Sequence, residues 1–215
     1  MNRLDFLLSL QPNPVVAKAL YAAVCAGYLY QGPPFRWSYL GLGEPLCFLA
    51  FGPLATCAFY LAQVPPSFAT AGPQWQSTLS LLPASVIALS VLIGISTTVI
   101  LFCSHFHQVE GDKAAGKMSP LVRLGTHKGA AVLKFVVGFT YAITLVLSLF
   151  GVLPFAVWTS AMVAYGLAAE MVKLAETEVD NPQALRPLKM LATKWHIGFT
   201  SMLALGLLVA KLMVI

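Results

Sequence analysis

The run from residue 82 to residue 106, LPASVIALSVLIGISTTVILFCSHF, decides the fold class of this chain. It contains no Asp, Glu, Lys or Arg, and it exceeds the roughly 20 apolar residues that a helix needs to cross a bilayer. Its apolar residues do not alternate strictly with polar ones, as the strands of a membrane β-barrel would require. The run therefore predicts a transmembrane helix.

Five further apolar segments accompany this run. They cover residues 14–30, 44–63, 130–150, 154–175 and 194–214. The 215 residues are 58% hydrophobic and 10% charged, whereas soluble domains carry roughly 25% charged residues. We therefore expect an all-α, polytopic bundle of about six transmembrane helices, with residues 1–215 in a single domain and the lipid bilayer as its surroundings.

Charge divides the connections between these segments into two groups. Residues 31–43, 107–129 and 176–193 hold most of the ionisable groups, whereas residues 64–81 and 151–153 hold none. When segment ends are assigned to the nearer face, ten of the 13 bases lie on one side: Arg36, Lys113, Lys117, Arg123, Lys128, Lys134, Lys173, Arg186, Lys189 and Lys194. The positive-inside rule places this side in cytoplasm, stroma or matrix. Orientation explains the net charge of +5, so we expect no nucleic-acid partner.

Neither the cysteines nor the first residues of the chain indicate a function. The four cysteines, Cys25, Cys47, Cys57 and Cys103, lie in apolar runs without a C-x-x-C pair and fit small buried residues better than ligands. The opening MNRLDFLLSLQPNP does not fit a signal peptide, because Asp5 and two prolines interrupt a short apolar patch.

The richest polar region is FCSHFHQVEGDKAAGKMSPLVRLGTHKG, residues 102–129. If the helix continues through Asp112, then His105, Gln108 and Asp112 lie on one face, while His107 and Glu110 project from another within a turn. Carboxylate and amide oxygens beside an apolar cavity suit Mg²⁺, a hard cation.

Three bases follow closely. Lys117, Arg123 and Lys128 could neutralise a diphosphate leaving group. Alternatively, the region is a solvated loop whose bases only fix orientation. H-x-H with an acid is a weak zinc signal. The four histidines lie at segment ends or in a loop, which disfavours haem: His105, His107, His127 and His196.

A second polar region is YLYQGPPFRWSYLGLGEP, residues 28–45. Glycine and two prolines at residues 32–34 predict the end of the first helix. Tyr30, Arg36 and Glu44 are its candidate polar contacts. The alternative is a turn with interfacial aromatics and a snorkelling arginine.

Three blocks carry a resemblance to a known family: GYLYQGPPFR at 27–36, GLGEPLCFLAFGPLA at 41–55 and HFHQVEGDKAAGKMSPLVRLGT at 105–126. Together they resemble the UbiA superfamily of membrane prenyltransferases, closest to the MenA-type branch of plants and cyanobacteria. The similarity runs from about residue 20 to the C-terminus. It implies a nine-helix bundle around a cavity that opens to the charged side and to lipid.

The resemblance also implies a reaction. A prenyl group, phytyl in this branch, would pass from its diphosphate to 1,4-dihydroxy-2-naphthoate with decarboxylation, in phylloquinone or menaquinone biosynthesis. Mg²⁺ would bind the diphosphate, and an electron-rich aromatic ring would attack the allylic cation. The membrane would be that of a chloroplast or cyanobacterium, with the active face toward stroma or cytoplasm.

The site residues follow from matching the family motifs. Asp112 takes the second acidic position of D-x-x-x-D, and the following G-K-x-[ST] is matched at residues 116–119. Gln108 stands at the first acidic position, with Glu110 two residues later. The resemblance thus implies catalytic roles for Asp112, Glu110 and Gln108, with metal on Asp112 and Glu110. It implies substrate binding by six residues: Tyr30, Arg36, Lys117, Arg123, His105 and His107.

One departure from the family pattern is large. The first acidic motif, N-x-x-x-D-x-x-x-D, has no match in residues 1–27. We therefore expect the chain to correspond to helices four to nine, the C-terminal part of the domain. We expect it to be inactive or nearly so alone, and a separate N-terminal half is a candidate partner. The alternative function is a non-catalytic UbiA-like membrane protein that binds quinone or isoprenoid lipid.

Overall fold

A computed structural model of the chain describes residues 14–64 and 82–213, and these residues form helices and connections without a strand. The helices are α1 (Pro14–Gln31), α2 (Gly43–Gln63), α3 (Ala84–Ala114), α4 (Pro120–Leu124), α5 (Thr126–Leu149), α6 (Phe155–Thr177) and α7 (Leu188–Met213). A helix occupies most of the described part of each of the six predicted apolar segments, and α4 is a short additional helix. The predicted all-α membrane bundle is confirmed.

Five of the described helices are long and apolar enough to cross a membrane: α2, α3, α5, α6 and α7. The remaining long helix, α1, falls short of that hydropathy. It carries Lys18 in its second turn and ends on Gln31. Pro14 and Lys18 also interrupt the beginning of this segment in the sequence, where it is the weakest of the six.

Two helices begin earlier than hydropathy predicts. α5 begins at Thr126 and α7 at Leu188, because their polar first turns continue the helical backbone beyond the apolar run. As a result His196, expected at a segment end, lies in the third turn of α7. Its Nδ1 is 2.8 Å from Oγ of Ser96, near the middle of α3. The expectation for His196 was therefore wrong.

The helix α2 changes its winding where it meets α3. Residues Ala50–Thr56 form a π-helical segment around Pro53, which has no backbone N–H to donate. A Cβ added at Gly52 would lie 2.8 Å from Cα of Gly94 in α3. The two helices therefore approach at paired glycines, as closely packed membrane helices commonly do.

The core lies among α3, α5, α6 and α7. Trp195 and Phe199 of α7 are fully buried, and their rings stack with centroids 5.5 Å apart. The indole Nε1 of Trp195 donates to the hydroxyl of Tyr141 in α5, 3.1 Å away, which satisfies the buried N–H. This packing fixes the relative positions of the helices that carry the polar ends.

Side-chain contacts join the charged connections on one face of the bundle. Glu44 at the start of α2 meets His105 of α3. On the same face, His127 of α5 lies 2.8 Å from Asp180, and Lys134 lies 2.9 Å from Glu176 at the end of α6. The last two pairs are exposed, so each stabilises the fold by at most about 1 kcal/mol.

Candidate active site

Four polar side chains are linked in series at the charged face. Nδ1 of His105 lies 3.1 Å from Oε1 of Glu44, and Nε2 lies 3.2 Å from Nζ of Lys117. Nζ of Lys117 is also 3.1 Å from Oδ2 of Asp112. We call Glu44–His105–Lys117–Asp112 the polar chain. It joins the first turn of α2 to the end of α3 and to the connection that follows.

The contacts of His105 favour one tautomer of its neutral ring. The ammonium group of Lys117 can only donate, so Nε2 of His105 must accept from it. The proton of the neutral ring then lies on Nδ1, which donates to Oε1 of Glu44.

A glycine turn brings Lys117 back to the helix. Gly116 has φ +73°, a left-handed conformation that favours glycine at a helix C-terminus. The backbone N–H of Lys117 then donates to the carbonyl of Asp112 at 2.8 Å. The Gly-Lys pair of the sequence motif therefore has a local structural reason: it directs the lysine toward Asp112 and His105.

The carboxylates of the polar chain retain oxygens that could bind a cation. Among the described residues, Oδ2 of Asp112 and Oε2 of Glu44 are buried and have no hydrogen-bond partner. The contact of Asp112 with Lys117 is an ion pair without hydrogen-bond geometry. Mg²⁺ in proteins often takes one or two carboxylates and completes its shell with phosphate oxygens and water. Asp112 fits such a partial site.

The described residues do not supply a complete metal site. Over residues 14–64 and 82–213, no three His, Cys, Asp or Glu side chains cluster closely enough to hold an ion. A metal held by Asp112 would therefore need further ligands, such as diphosphate oxygens.

Arg123 connects the two polar regions of the sequence. Its Nε donates to the carbonyl of Met118 and its Nη2 to the carbonyl of Leu40, both at 3.0 Å. A Cβ added at Gly41, where φ is +82°, would lie 2.8 Å from the Met118 carbonyl oxygen. Arg123, predicted to bind substrate, thus holds the connection before α2 against the connection before α4.

Two other predicted residues, Tyr30 and Arg36, lie in different positions relative to the polar chain. Tyr30 is half-buried and lies within electrostatic range of Glu44 and Asp112. Arg36 is exposed, with φ +43°, and its guanidinium carbon is 5.7 Å from the ring centroid of Tyr39. The structure therefore brings Tyr30 to the site and places Arg36 at its rim.

Three further predicted residues lie apart from the polar chain because of a 3₁₀ turn at Phe106–Gln108. They are His107, Gln108 and Glu110. Gln108 and Glu110 are exposed, and Nε2 of Gln108 lies 3.2 Å from Nε2 of His107. The sequence-based prediction assumed a regular α-helix through Asp112. The 3₁₀ turn changes which side chains lie on the same face of that helix. His105 and Asp112 consequently meet through Lys117, whereas Gln108 faces His107.

An apolar cavity of about 430 Å³ adjoins the polar chain. It lies between α2, α3, α4 and α5. Its walls include Phe48, Val99, Phe102, Leu133 and Val136. Among the described residues that line it, Glu44 is the only ionisable one. The hydroxyl of Thr98, also on the wall, donates to a backbone carbonyl of its own helix.

An apolar pocket beside a few polar groups is the common form of a small-molecule site. Glu44 appeared in the sequence only as a candidate polar contact. Its position is the signal that identifies it: a glutamate at the first residue of an apolar segment lies at the end of a transmembrane helix.

Sequence comparison assigns the chain to a protein family. The profile of the UbiA prenyltransferase family matches residues 4–195, and the chain belongs to this family. It is 42% identical over 194 residues to the chloroplastic 2-carboxy-1,4-naphthoquinone phytyltransferase of Arabidopsis thaliana, covering 89% of this chain and 48% of that protein. It is 41% identical over 194 residues to the 2-carboxy-1,4-naphthoquinone phytyltransferase of Synechocystis sp., covering 89% of this chain and 57% of that protein.

The chain thus spans about half the length of these curated relatives. No solved structure matched the chain.

Proposed function

We propose that the protein to which these residues belong transfers a prenyl group, phytyl, from its diphosphate to a 1,4-dihydroxy-2-naphthoate acceptor in quinone biosynthesis. The observation that carries the proposal is the junction of a polar chain with an apolar cavity, with Glu44 shared by both. Diphosphate and prenyl tail need these two environments side by side. The phytyltransferase names of two relatives at 41–42% identity favour catalysis over a non-catalytic lipid-binding protein.

The reaction requires a leaving group to be stabilised and water to be excluded. The bond between prenyl C1 and the diphosphate oxygen breaks, and the ring carbon that bears the carboxylate attacks the allylic cation. The ring carboxylate leaves as CO₂, and its bonding electron pair restores the aromatic ring. Lys117 donates to phosphate oxygens as charge builds on them, and the apolar walls keep water from the cation.

Mg²⁺ is the metal we propose, with Asp112 as its principal ligand and Glu110 as the second. When bound, it would supply neutralising charge to the diphosphate. Tyr30, Arg36, Arg123, His105 and His107 complete the proposed substrate site. In this proposal Arg36 at the rim and the remaining N–H groups of Arg123 meet phosphate oxygens, while His105 holds Lys117 and Glu44 in place.

The oxidation state of the acceptor follows from the chemistry. Attack on an allylic cation needs an electron-rich ring, and a quinone ring is electron-poor. We therefore propose that the dihydroxy form reacts, although the relatives are named for the naphthoquinone. The proposed setting is a chloroplast or cyanobacterial membrane, with the charged face toward stroma or cytoplasm.

Complementation tests the proposal. The chain is expressed in Synechocystis lacking its 41%-identical relative, alone and fused to the part of that relative it does not match. Phylloquinone is measured by mass spectrometry. We expect the fused form to restore phylloquinone and the chain alone to restore little, because Asp112 lacks a full set of metal-binding neighbours among the described residues. Absence of phylloquinone with a well-expressed fusion would reject the proposed function.

A further inference from the structure

Glu44 is an unusual residue for the wall of an apolar cavity. It is 9% exposed, and Oε1 accepts from His105. Its second oxygen, Oε2, is shielded from water and has no hydrogen-bond partner among residues 14–64 and 82–213. A buried carboxylate oxygen without a donor is costly. A donor on a bound molecule would remove that cost once a small turn of the carboxyl group brings Oε2 to the cavity that Glu44 lines.

The polar chain fixes what kind of group Glu44 can meet. Because Lys117 donates to Nε2 of His105, the ring presents its Nδ1–H to Glu44. Oε1 is therefore occupied, and Oε2 is left as an acceptor. The matching ligand group is an N–H or O–H donor on an otherwise apolar molecule, and the proposed acceptor carries hydroxyl groups of this kind.

We propose that Oε2 of Glu44 accepts a hydrogen bond from the 4-hydroxyl of the naphthoate acceptor and so positions its ring in the cavity. This inference rests on the proposed function for the identity of the acceptor class. The 1-hydroxyl is adjacent to the ring carboxylate and bonds to it internally, so the 4-hydroxyl is the free donor. A carboxylate that draws on this proton also raises the electron density of the ring. Glu44 is thus a specificity residue, and His105 is the positioning residue that holds it.

Two probes isolate the contact. 1,4-Dihydroxy-2-naphthoate, kept reduced with dithionite, and 1-hydroxy-2-naphthoate differ only in the 4-hydroxyl. Equilibrium binding of each to the 215-residue chain in lipid nanodiscs is followed by naphthoate fluorescence. We expect the dihydroxy probe to bind about tenfold more tightly, as one charge-assisted hydrogen bond allows.

Glu44→Gln exchanges the acceptor for a donor. His105 Nδ1–H would bond the amide oxygen, so the amide NH₂ would take the place of Oε2. We expect this variant to lose the tenfold preference while still binding 1-hydroxy-2-naphthoate with unchanged affinity, which also shows an intact cavity. Ser96→Ala is the matched control, because it removes a different histidine contact of α3 away from the cavity. It should keep the preference.

Specific outcomes overturn the inference. Retention of the tenfold preference in Glu44→Gln would do so, and so would equal binding of the two probes by the unsubstituted chain. Loss of 1-hydroxy-2-naphthoate binding in Glu44→Gln would also count against it, because it would point to a collapsed cavity rather than a lost contact. Failure of phylloquinone complementation with the preference intact would reject the proposed function and leave the Glu44 contact standing.

Discussion

At the scale of single residues, the candidate site consists of charged side chains that are largely buried and have few hydrogen-bond partners. Asp112 and Lys117 are both mostly buried, with side chains 13% and 17% exposed. Asp180 and its partner His127 are 81% and 71% exposed. A charge change at the buried pair should therefore matter far more than one at the exposed pair.

Asp112→Asn should abolish most phytyl transfer, whereas Asp180→Asn should not. Asparagine keeps the size and one oxygen but removes the charge that would hold Mg²⁺. Loss of such a preorganised electrostatic contact lowers kcat by about 10²–10³-fold. The assay is phytyl transfer by the fusion protein in membranes at saturating and limiting Mg²⁺. Near-normal activity of Asp112→Asn at limiting Mg²⁺ would place the metal elsewhere.

Lys117→Ala should mainly weaken binding of phytyl diphosphate. If the ammonium group contacts phosphate in the ground state as well as in the transition state, its loss raises KM more than it lowers kcat. We expect KM to rise about tenfold, as for one lost charged contact. Lys134→Ala is the control, because Lys134 pairs with Glu176 at an exposed position. A fall in kcat with unchanged KM would assign Lys117 to the chemical step instead.

At the scale of the helices, close approach depends on glycine. A Cβ added at Gly206 of α7 would lie 2.5 Å from Cα of Val157 in α6, which is backbone and cannot rotate away. A Cβ added at Gly138 of α5 would meet nothing within 4 Å. Alanine at position 206 therefore tests the close contact between α6 and α7. Alanine at position 138 tests helix propensity alone.

Gly206→Ala should lower thermal stability and Gly138→Ala should not. Overpacking costs about 1–3 kcal/mol, whereas alanine in a helix gains about 0.5–1 kcal/mol over glycine. The midpoint of thermal unfolding in detergent should therefore fall for the first variant and stay level or rise for the second. Equal midpoints would show that α6 and α7 can separate at low cost.

At the scale of the whole molecule, the six long helices among the described residues should place the polar connections on one side of the membrane. We expect cysteines introduced at Ala115 and Gln183 to react with an impermeant maleimide from one side of sealed vesicles. A cysteine at Phe150 should react from the other side. All three positions are exposed, and the natural cysteines lie inside helices α1, α2 and α3. Labelling of Phe150→Cys and Ala115→Cys from the same side would reject the topology.

The sequence by itself determined the membrane bundle and predicted the region of the candidate site. Runs such as residues 82–106 can satisfy their backbone only as helices in lipid, and the Gly-Lys motif after Asp112 marks a turn and a cation. The first residues of α5 and α7 could not be predicted from hydropathy, because the first turns of both helices are polar.

Only the tertiary structure decided which polar groups meet. His105 and Glu44 are 61 residues apart, and no periodicity along one helix relates them. The 3₁₀ turn at Phe106–Gln108 moved Gln108 away from the face that a regular helix predicts. Arg123, chosen for its charge, bonds two backbone carbonyls whose positions depend on the packing of separate connections. Side-chain type shows what a residue can bind, but the packing of distant helices determines which partner lies within reach.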